Sequence, residues 1–483
     1  MAVCVLATWG WLAAATGLGW DIARVVLCAA VLIIPPGVLI IGTCIPSGAG
    51  SATRVALVGS VGYVAATVGA VALGSVGLLW SFPFVWTALA IACGIVLVRR
   101  PHGTTGGALD AGFLAEALPL LAVIGLSLVA VTPLMTPVEP QPGGGIISYG
   151  YIDAYQGVAM IQGLIRSLPL TEHYSLAGLE ALAYPDFHYT FLAMLSRLTG
   201  VSPVDMYFVH GAILLVLIGV PLAHAIGREA TGEPLGGLVA AALLYIGVLP
   251  NLYDINPTLA NVSVPYMPTF YQTHFYSPRL NQHEGAGALL VLTALLGLQL
   301  AERATATRAR VSSLVVAGCC IAALSRFRSQ HLLSAGPAFL LTTAWLGLRF
   351  RDWRMMAGLA ACVGLLGLLA VQTFSGVYDP RSAALVFRYG NFGREILDRW
   401  YLPARLQPLI AAMHPLVGPA VAAAAWVAFR FIGLNLGVLI AGRVWQWLKH
   451  RQVHVIDVFP GLVILATLVT SVTVQRDVVT LGP

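Results

Sequence analysis

The sequence predicts an all-α, polytopic bundle of about 11–13 membrane spans, with amphipathic helices in the loops on one face. Three observations carry this. Apolar residues make up 58% of the 483 and charged residues only 10%, where a soluble domain carries about a quarter. Mean hydropathy is +0.85, and apolar runs near the ~20 residues needed to cross a hydrocarbon core recur along the chain. Short basic loops then alternate with long polar ones. The net charge of +6 is modest and nearly all arginine, with Lys449 the only lysine, so nothing points to a nucleic-acid partner. The seven cysteines fall in apolar runs without metal-ligand spacing or a disulfide framework. The first apolar run has no basic lead-in, so no cleavable signal peptide is expected.

In order, spans are expected near 2–19, 22–45, 54–79, 84–100, 113–137, 205–226, 234–250, 285–301, 311–325, 331–348, 355–374, 416–442 and 456–474. Pro35-Pro36-Gly37 interrupts the second run and predicts a kink or break there. Basic residues orient the array. Arg99-Arg100, Arg303, Arg308 and Arg310, Arg349, Arg351 and Arg354, and the 443–451 segment all fall on one side, which the positive-inside tendency makes cytoplasmic. The segments 138–204, 251–284 and 375–413, with the tight turn 326–330, then lie outside. Helical spacing of Val158, Ile161 and Ile165, and of Phe187, Phe191, Met194, Leu195 and Leu198, predicts amphipathic interfacial helices over 151–166 and 187–198. Three parts follow: accessory spans over 1–112, a module over 113–413 that holds the outer loops, and C-terminal spans over 414–483.

The 375–413 loop carries Arg381, Arg388, Arg394, Arg399 and Arg405 on the side where basic residues are disfavoured. A cluster there points to a bound anion, and at a membrane surface the nearest anion is a lipid phosphate. Arg326 and Arg328 in the tight turn join this phosphate-binding set, the competing account being arginines that snorkel to the headgroups.

Four polar groups could carry chemistry. Asp153, after a glycine run and just beyond a span, suits a general base or cation ligand, and equally a helix N-cap. Asp186 and His188 open a helix, as caps and interfacial polar groups or as substrate contacts. His274, Arg279, His283 and Glu284 lead into the span at 285–301. His283 and Glu284 could bind a metal or a hydroxyl, although the spacing of a zinc signature is absent. The fourth group is Arg326, Arg328, Gln330 and His331.

This layout resembles the GT-C superfamily of integral-membrane glycosyltransferases over roughly 113–413. A span leads to a first outer loop with an early acid and two interfacial helices. Six further spans follow, and the phrase LAYPDFHYTFLAMLSRLTGVSPVDMYFVHGAILL is similar to the stretch where such enzymes open a helix ending in Leu-Thr-Gly. The resemblance implies transfer of a sugar from a polyprenyl-phosphate carrier to a glycan, lipid or protein acceptor of the cell envelope. It implies an active site on the outer face of the cytoplasmic membrane, in contact with membrane lipid, and direct attack with a lipid phosphate as leaving group is expected to invert the anomeric centre. The family's first-loop acid corresponds to Asp153 and its second-loop acid to Glu284 beside His283, while the usual acidic pair is absent. Asp153, Glu284 and His283 would hold a divalent cation, Mg or Mn, if one is used. Substrate would lie against Asp186, His188, His274 and Arg279. Two other readings share the layout: a lipid-linked polysaccharide polymerase or ligase, and a lipid or polyisoprenoid-sugar transporter.

Overall fold

The computed structural model describes residues 19–45, 49–99, 111–131, 138–140, 146–148, 152–168, 186–245, 282–352, 384–387, 407–414, 417–427 and 453–477, with a few isolated positions near 9–18, 355 and 443–448. The expected spans at 2–19 and 355–374, most of 416–442, and residues His274, Arg279, Arg381, Arg388 and Arg394 lie outside these, as do the side chains of Asp153, His283 and Glu284.

The molecule is a helical bundle and a multi-pass membrane protein. Six described helices are long and apolar enough to cross a membrane, the windows being Gly19–Cys44, Ser51–Ser75, Pro203–Thr231, Gly285–Arg303, Thr307–Phe327 and His331–Phe350. In chain order the helices are α1 (Gly19–Cys44), α2 (Ser51–Ser75), α3 (Phe82–Arg99), α4 (Ala111–Val131), α5 (Ile152–Arg166), α6 (Phe187–Thr199), α7 (Pro203–Thr231), α8 (Pro234–Tyr245), α9 (Gln282–Arg303), α10 (Thr307–Phe327), α11 (Ser329–Phe350), α12 (Gln407–Ala411), α13 (Gly418–Val427) and α14 (Val455–Thr473). The window in α7 is 89% buried and that in α1 only 44%, so α7 is the central stave and α1 sits at the periphery.

Two short antiparallel ribbons decorate the bundle without changing its class. Val138–Pro140 (β1) pairs with Ile146–Ser148 (β2) across the glycine run, and Ala384–Phe387 (β3) pairs with Val474–Asp477 (β4).

Of the kink or break expected at Pro35-Pro36, the break does not occur: α1 runs through both prolines. Proline 36 lacks the N–H that would serve the carbonyl of Leu32 one turn back. The indole Nε1–H of Trp86 donates to that carbonyl at 2.9 Å, so the freed acceptor is satisfied inside the apolar phase. Close packing of α1 on α2 depends on missing side chains. A Cβ on Gly37 would lie 2.2 Å from the Val58 carbonyl oxygen, and one on Gly62 only 2.0 Å from that of Ile33.

The expected alternation of the basic loops holds among the described ends. Thr53 at the start of α2 donates to Glu229 near the end of α7, and Arg303 at the end of α9 pairs with the same carboxylate. Arg349, at the end of α11, pairs with Glu302, which also meets His454 and the backbone N–H of Val455 at the start of α14. These ends form one basic-loop face. Helix α14 starts there and spans about 28 Å at 1.5 Å per residue. Strand β4 follows directly, so its partner Ala384–Phe387 is carried to the opposite face.

Candidate functional site

Beneath the face opposite the basic loops, α6 is packed into the bundle. Its first residues meet α2, α7, the start of α9 and the end of α10. The periodicity of 187–198 predicts one apolar stripe, yet His188–Ser196 is buried on every side. The polar side chains of α6 therefore need partners from the protein rather than from water.

His188 finds them. The Tyr63 hydroxyl lies 2.7 Å from its Nδ1, and its Nε2 lies 3.0 Å from Gln282 Oε1. The Gln282 amide nitrogen donates in turn to the Tyr207 carbonyl. This fixes the direction of the chain. An amide that donates from nitrogen to Tyr207 presents oxygen to His188, so Nε2 carries the proton and Nδ1 accepts from Tyr63. Burial lowers the His188 pKa to about 4, opposed by the Gln282 hydrogen bond, and the ring is neutral. Both ring nitrogens are engaged by the protein and the residue is 2% exposed, so its part is to position its neighbours rather than to touch a ligand.

A π-helical segment, Met206–Gly211, brings Tyr207 to this place. Gly211 gives the room, since a Cβ there would lie 2.0 Å from Gln282 Oε1. Aromatic rings close the surroundings. Tyr63 meets Phe191 edge-on at 4.9 Å and Phe327 at 5.3 Å, and Phe187 meets Phe327 at 5.5 Å.

Asp186 stands at the N-cap of α6 but makes no side-chain capping bond. Its Oδ1 instead accepts from Arg326 Nε at 3.0 Å and Nη2 at 2.7 Å. Burial raises the Asp186 pKa and the Arg326 charge opposes the rise. The Arg326 guanidinium also lies 5.5 Å from the centre of the Phe187 ring. Both expectations for these residues change: Asp186 is the partner of Arg326, and Arg326 already has its counter-charge.

The expected tight turn is present. Arg328, in extended backbone, joins α10 to α11. The turn packs on α9, where a Cβ on Gly287 would lie 2.5 Å from His331 Nδ1 and 2.7 Å from Arg328 Cβ. His283 and Glu284 follow Gln282 in the first turn of α9, so their backbone positions adjoin both the hydrogen-bond chain and the arginine turn. Asp153 is on α5, one turn before Gly157 and on the same helix face. A Cβ on Gly157 would lie 2.5 Å from Tyr207 Cε2 and 3.0 Å from Tyr189 Cε1. Helices α5 and α9 thus both reach Tyr207.

The described members of these groups, Asp186, His188, Arg326, Arg328 and His331, and the helix positions of Asp153, His283 and Glu284 therefore lie around Tyr207, Gln282 and the turn that packs on α9. Among the described residues no three of His, Cys, Asp and Glu form a metal site. The residues that organise the site, Tyr63, Gln282 and Tyr207, were missed in the sequence. The available signal was a tyrosine hydroxyl within the apolar run 54–79, where a buried O–H requires a partner. No protein-family model matches the chain, and neither a curated protein nor a solved structure matches it significantly.

Proposed function

We propose that the protein is a membrane glycosyltransferase. It moves a sugar from a polyprenyl-phosphate carrier to an acceptor hydroxyl of a cell-envelope glycan, lipid or protein, on the outer face of the cytoplasmic membrane. One observation carries the reading. The helix of Asp153, the α9 turn holding His283 and Glu284, and the arginine turn converge at a single place, on the face away from the basic loops.

In this reading Asp153 accepts the proton of the acceptor hydroxyl, whose oxygen attacks the anomeric carbon as the bond to the carrier phosphate breaks. The phosphate leaves with the bonding electrons, and its charge is stabilised by arginines, for which bidentate donors suit a phosphate. Arg328, Arg388 or Arg394 takes this role in the reading, and Arg326 is held by Asp186. Direct displacement inverts the anomeric centre.

The test is incubation of the purified protein with a panel of radiolabelled polyprenyl-phosphate sugars and envelope acceptors. Transfer from one of them is expected, and Asp153→Asn should reduce it by about 100-fold or more with the protein still folded. Absence of transfer across the panel, or an Asp153→Asn protein with undiminished turnover, would overturn the reading or the assignment of the base respectively.

A further inference from the structure

Helix α9 begins at the proposed centre, and its own sequence holds that beginning weakly. The first six residues are Gln282-His283-Glu284-Gly285-Ala286-Gly287. Glycine is the poorest helix former after proline, and packing imposes the second one. A Cβ on Gly287 would lie 2.5 Å from His331 Nδ1 and 2.7 Å from Arg328 Cβ. The buried stripe at this end is Gln282, Ala286 and Leu289, at i, i+4 and i+7, each 0% exposed. Ahead of Leu289 that stripe offers one methyl group and one polar side chain, so apolar burial adds little to the first turn. A helix end with two glycines and little apolar area frays unless something else holds it.

The side chain of Gln282 supplies that hold, because it is tied to two other helices. Its oxygen accepts from His188 on α6 at 3.0 Å, and its nitrogen donates to the Tyr207 carbonyl in the π-segment of α7. The irregular backbone presents this carbonyl to α9. The N–H of Ala212, five residues on and the donor that a continued π-pattern would bring there, goes to Val209 instead. Tyr207 serves α5 as well. Its ring stacks on Tyr189 at 6.3 Å, and both rings lie over Gly157, one turn past Asp153. The carbonyl and the ring of one residue thus receive the α9 turn and the α5 helix. An amide engaged through both its oxygen and its nitrogen has a single orientation.

We propose that Gln282 is a positioning residue: it holds the first turn of α9 helical, and so fixes the backbone positions of His283 and Glu284 relative to the Asp153 helix. The task given to those residues rests on the transferase reading; the hold on the turn does not.

The experiment is hydrogen exchange on the full-length protein in detergent, read by mass spectrometry on peptides of α9, with transfer kinetics beside it. In a regular helix the N–H groups of residues 286–289 donate to the carbonyls of 282–285, so their exchange reports the first turn. Gln282→Met, similar in length but without hydrogen bonds, should speed that exchange by about 10-fold or more, the worth of two hydrogen bonds. The second half of α9 should not change. Gly285→Ala added to Gln282→Met should slow it again by about 4- to 5-fold, the helix preference of alanine over glycine. A Cβ at that position meets only the tip of Leu215, at 3.0 Å. A Gln282 that merely filled space would not be answered by helix preference three residues away. Gln282→Asn, which keeps the amide on a shorter stem, takes the place of Gln282→Met should that variant fail to elute as a folded monodisperse protein. In transfer assays Gln282→Met should lower kcat by about 10-fold or more with the KM of the polyprenyl-phosphate sugar unchanged, since the arginines assigned to its phosphate are untouched. Exchange at 286–289 that stays as in the parent, rises equally along all of α9, or is not slowed by Gly285→Ala would overturn the hold on the turn. A loosened turn with undiminished kcat would overturn its part in transfer. Absence of transfer by the parent protein would overturn the transferase reading instead, and the exchange result would still decide the hold.

Discussion

At the basic-loop face the bundle is held by ions, and at the opposite face by a neutral chain. Arg303–Glu229, Arg349–Glu302 and Arg443–Asp457 each close at 2.7 Å, with arginine side chains 53%, 37% and 42% exposed. Pairs this open to water contribute little, about 0–1 kcal/mol each, and weaken in salt. Across the bundle, Tyr63, His188 and Gln282 are 2%, 2% and 0% exposed, and their hydrogen bonds run in one direction to the Tyr207 carbonyl. There the stakes are reversed, because a lost partner leaves a desolvated polar group behind. The difference teaches that charge density and structural weight are separate quantities. The more charged face should be the more forgiving one.

Stability measurements in detergent micelles can break that contrast. Gln282→Leu should cost most. It strands both the His188 N–H and the Tyr207 carbonyl, at about 2–6 kcal/mol in denaturant-induced unfolding; a loss under 1 kcal/mol would mean the chain is not the lock described here. Acid should come next. His188 has a folded pKa of about 4 against 6.5 ordinarily, so its contribution is fully present above pH 6.5 and lost as pH falls toward 4. At about 1.4 kcal/mol per pH unit that is about 3 kcal/mol. Asp186, whose pKa is raised by burial, takes up its proton earlier in the folded state and works in the opposite sense. A His188→Gln difference profile therefore isolates the histidine, and identical pH profiles would reject its buried neutral state. Tyr63→Phe should cost about 1–3 kcal/mol by leaving Nδ1 without a donor, and the cost should be independent of salt. Smallest is Arg349→Ala, at about 1 kcal/mol or less and vanishing near 1 M salt. If Arg349→Ala exceeded Tyr63→Phe, the ranking of the two faces would be inverted.

Much of the bundle is legible in the sequence, because crossing a membrane leaves few alternatives. Apolar runs at 54–79, 311–325 and 331–348 become α2, α10 and α11, and the turn 326–330 lies where two runs meet. The basic loops assemble on one face as their alternation requires. What escaped was partnership over distance. Tyr63 and His188 are 125 residues apart and Asp186 and Arg326 are 140, and nothing local in either member announces the other. Asp186 carries the local signature of a cap, and the capping geometry was outcompeted by a guanidinium supplied by another helix. Pro35-Pro36 reads as a kink or break, since the sequence around it does not reveal that Trp86 will serve the abandoned carbonyl.

The π-segment Met206–Gly211 also has a consequence for how this chain can vary in length. A π-turn is an α-helix holding a surplus residue, so deleting one residue within it would heal the helix into regular form. Since the wider turn spends that extra residue within itself, the repair would redraw only the turn, pulling its carbonyls back into the regular ladder, and would leave the segments on either side close to their present phase. The Tyr207 carbonyl would swing away from Gln282 while the membrane stave below stayed in register. The irregularity acts on the site-bearing turn separately from the span. A single deletion in Tyr207–His210 should thus leave insertion in the membrane intact and misalign the site, whereas the same deletion in the regular part of α7 would shift half the stave past its neighbours.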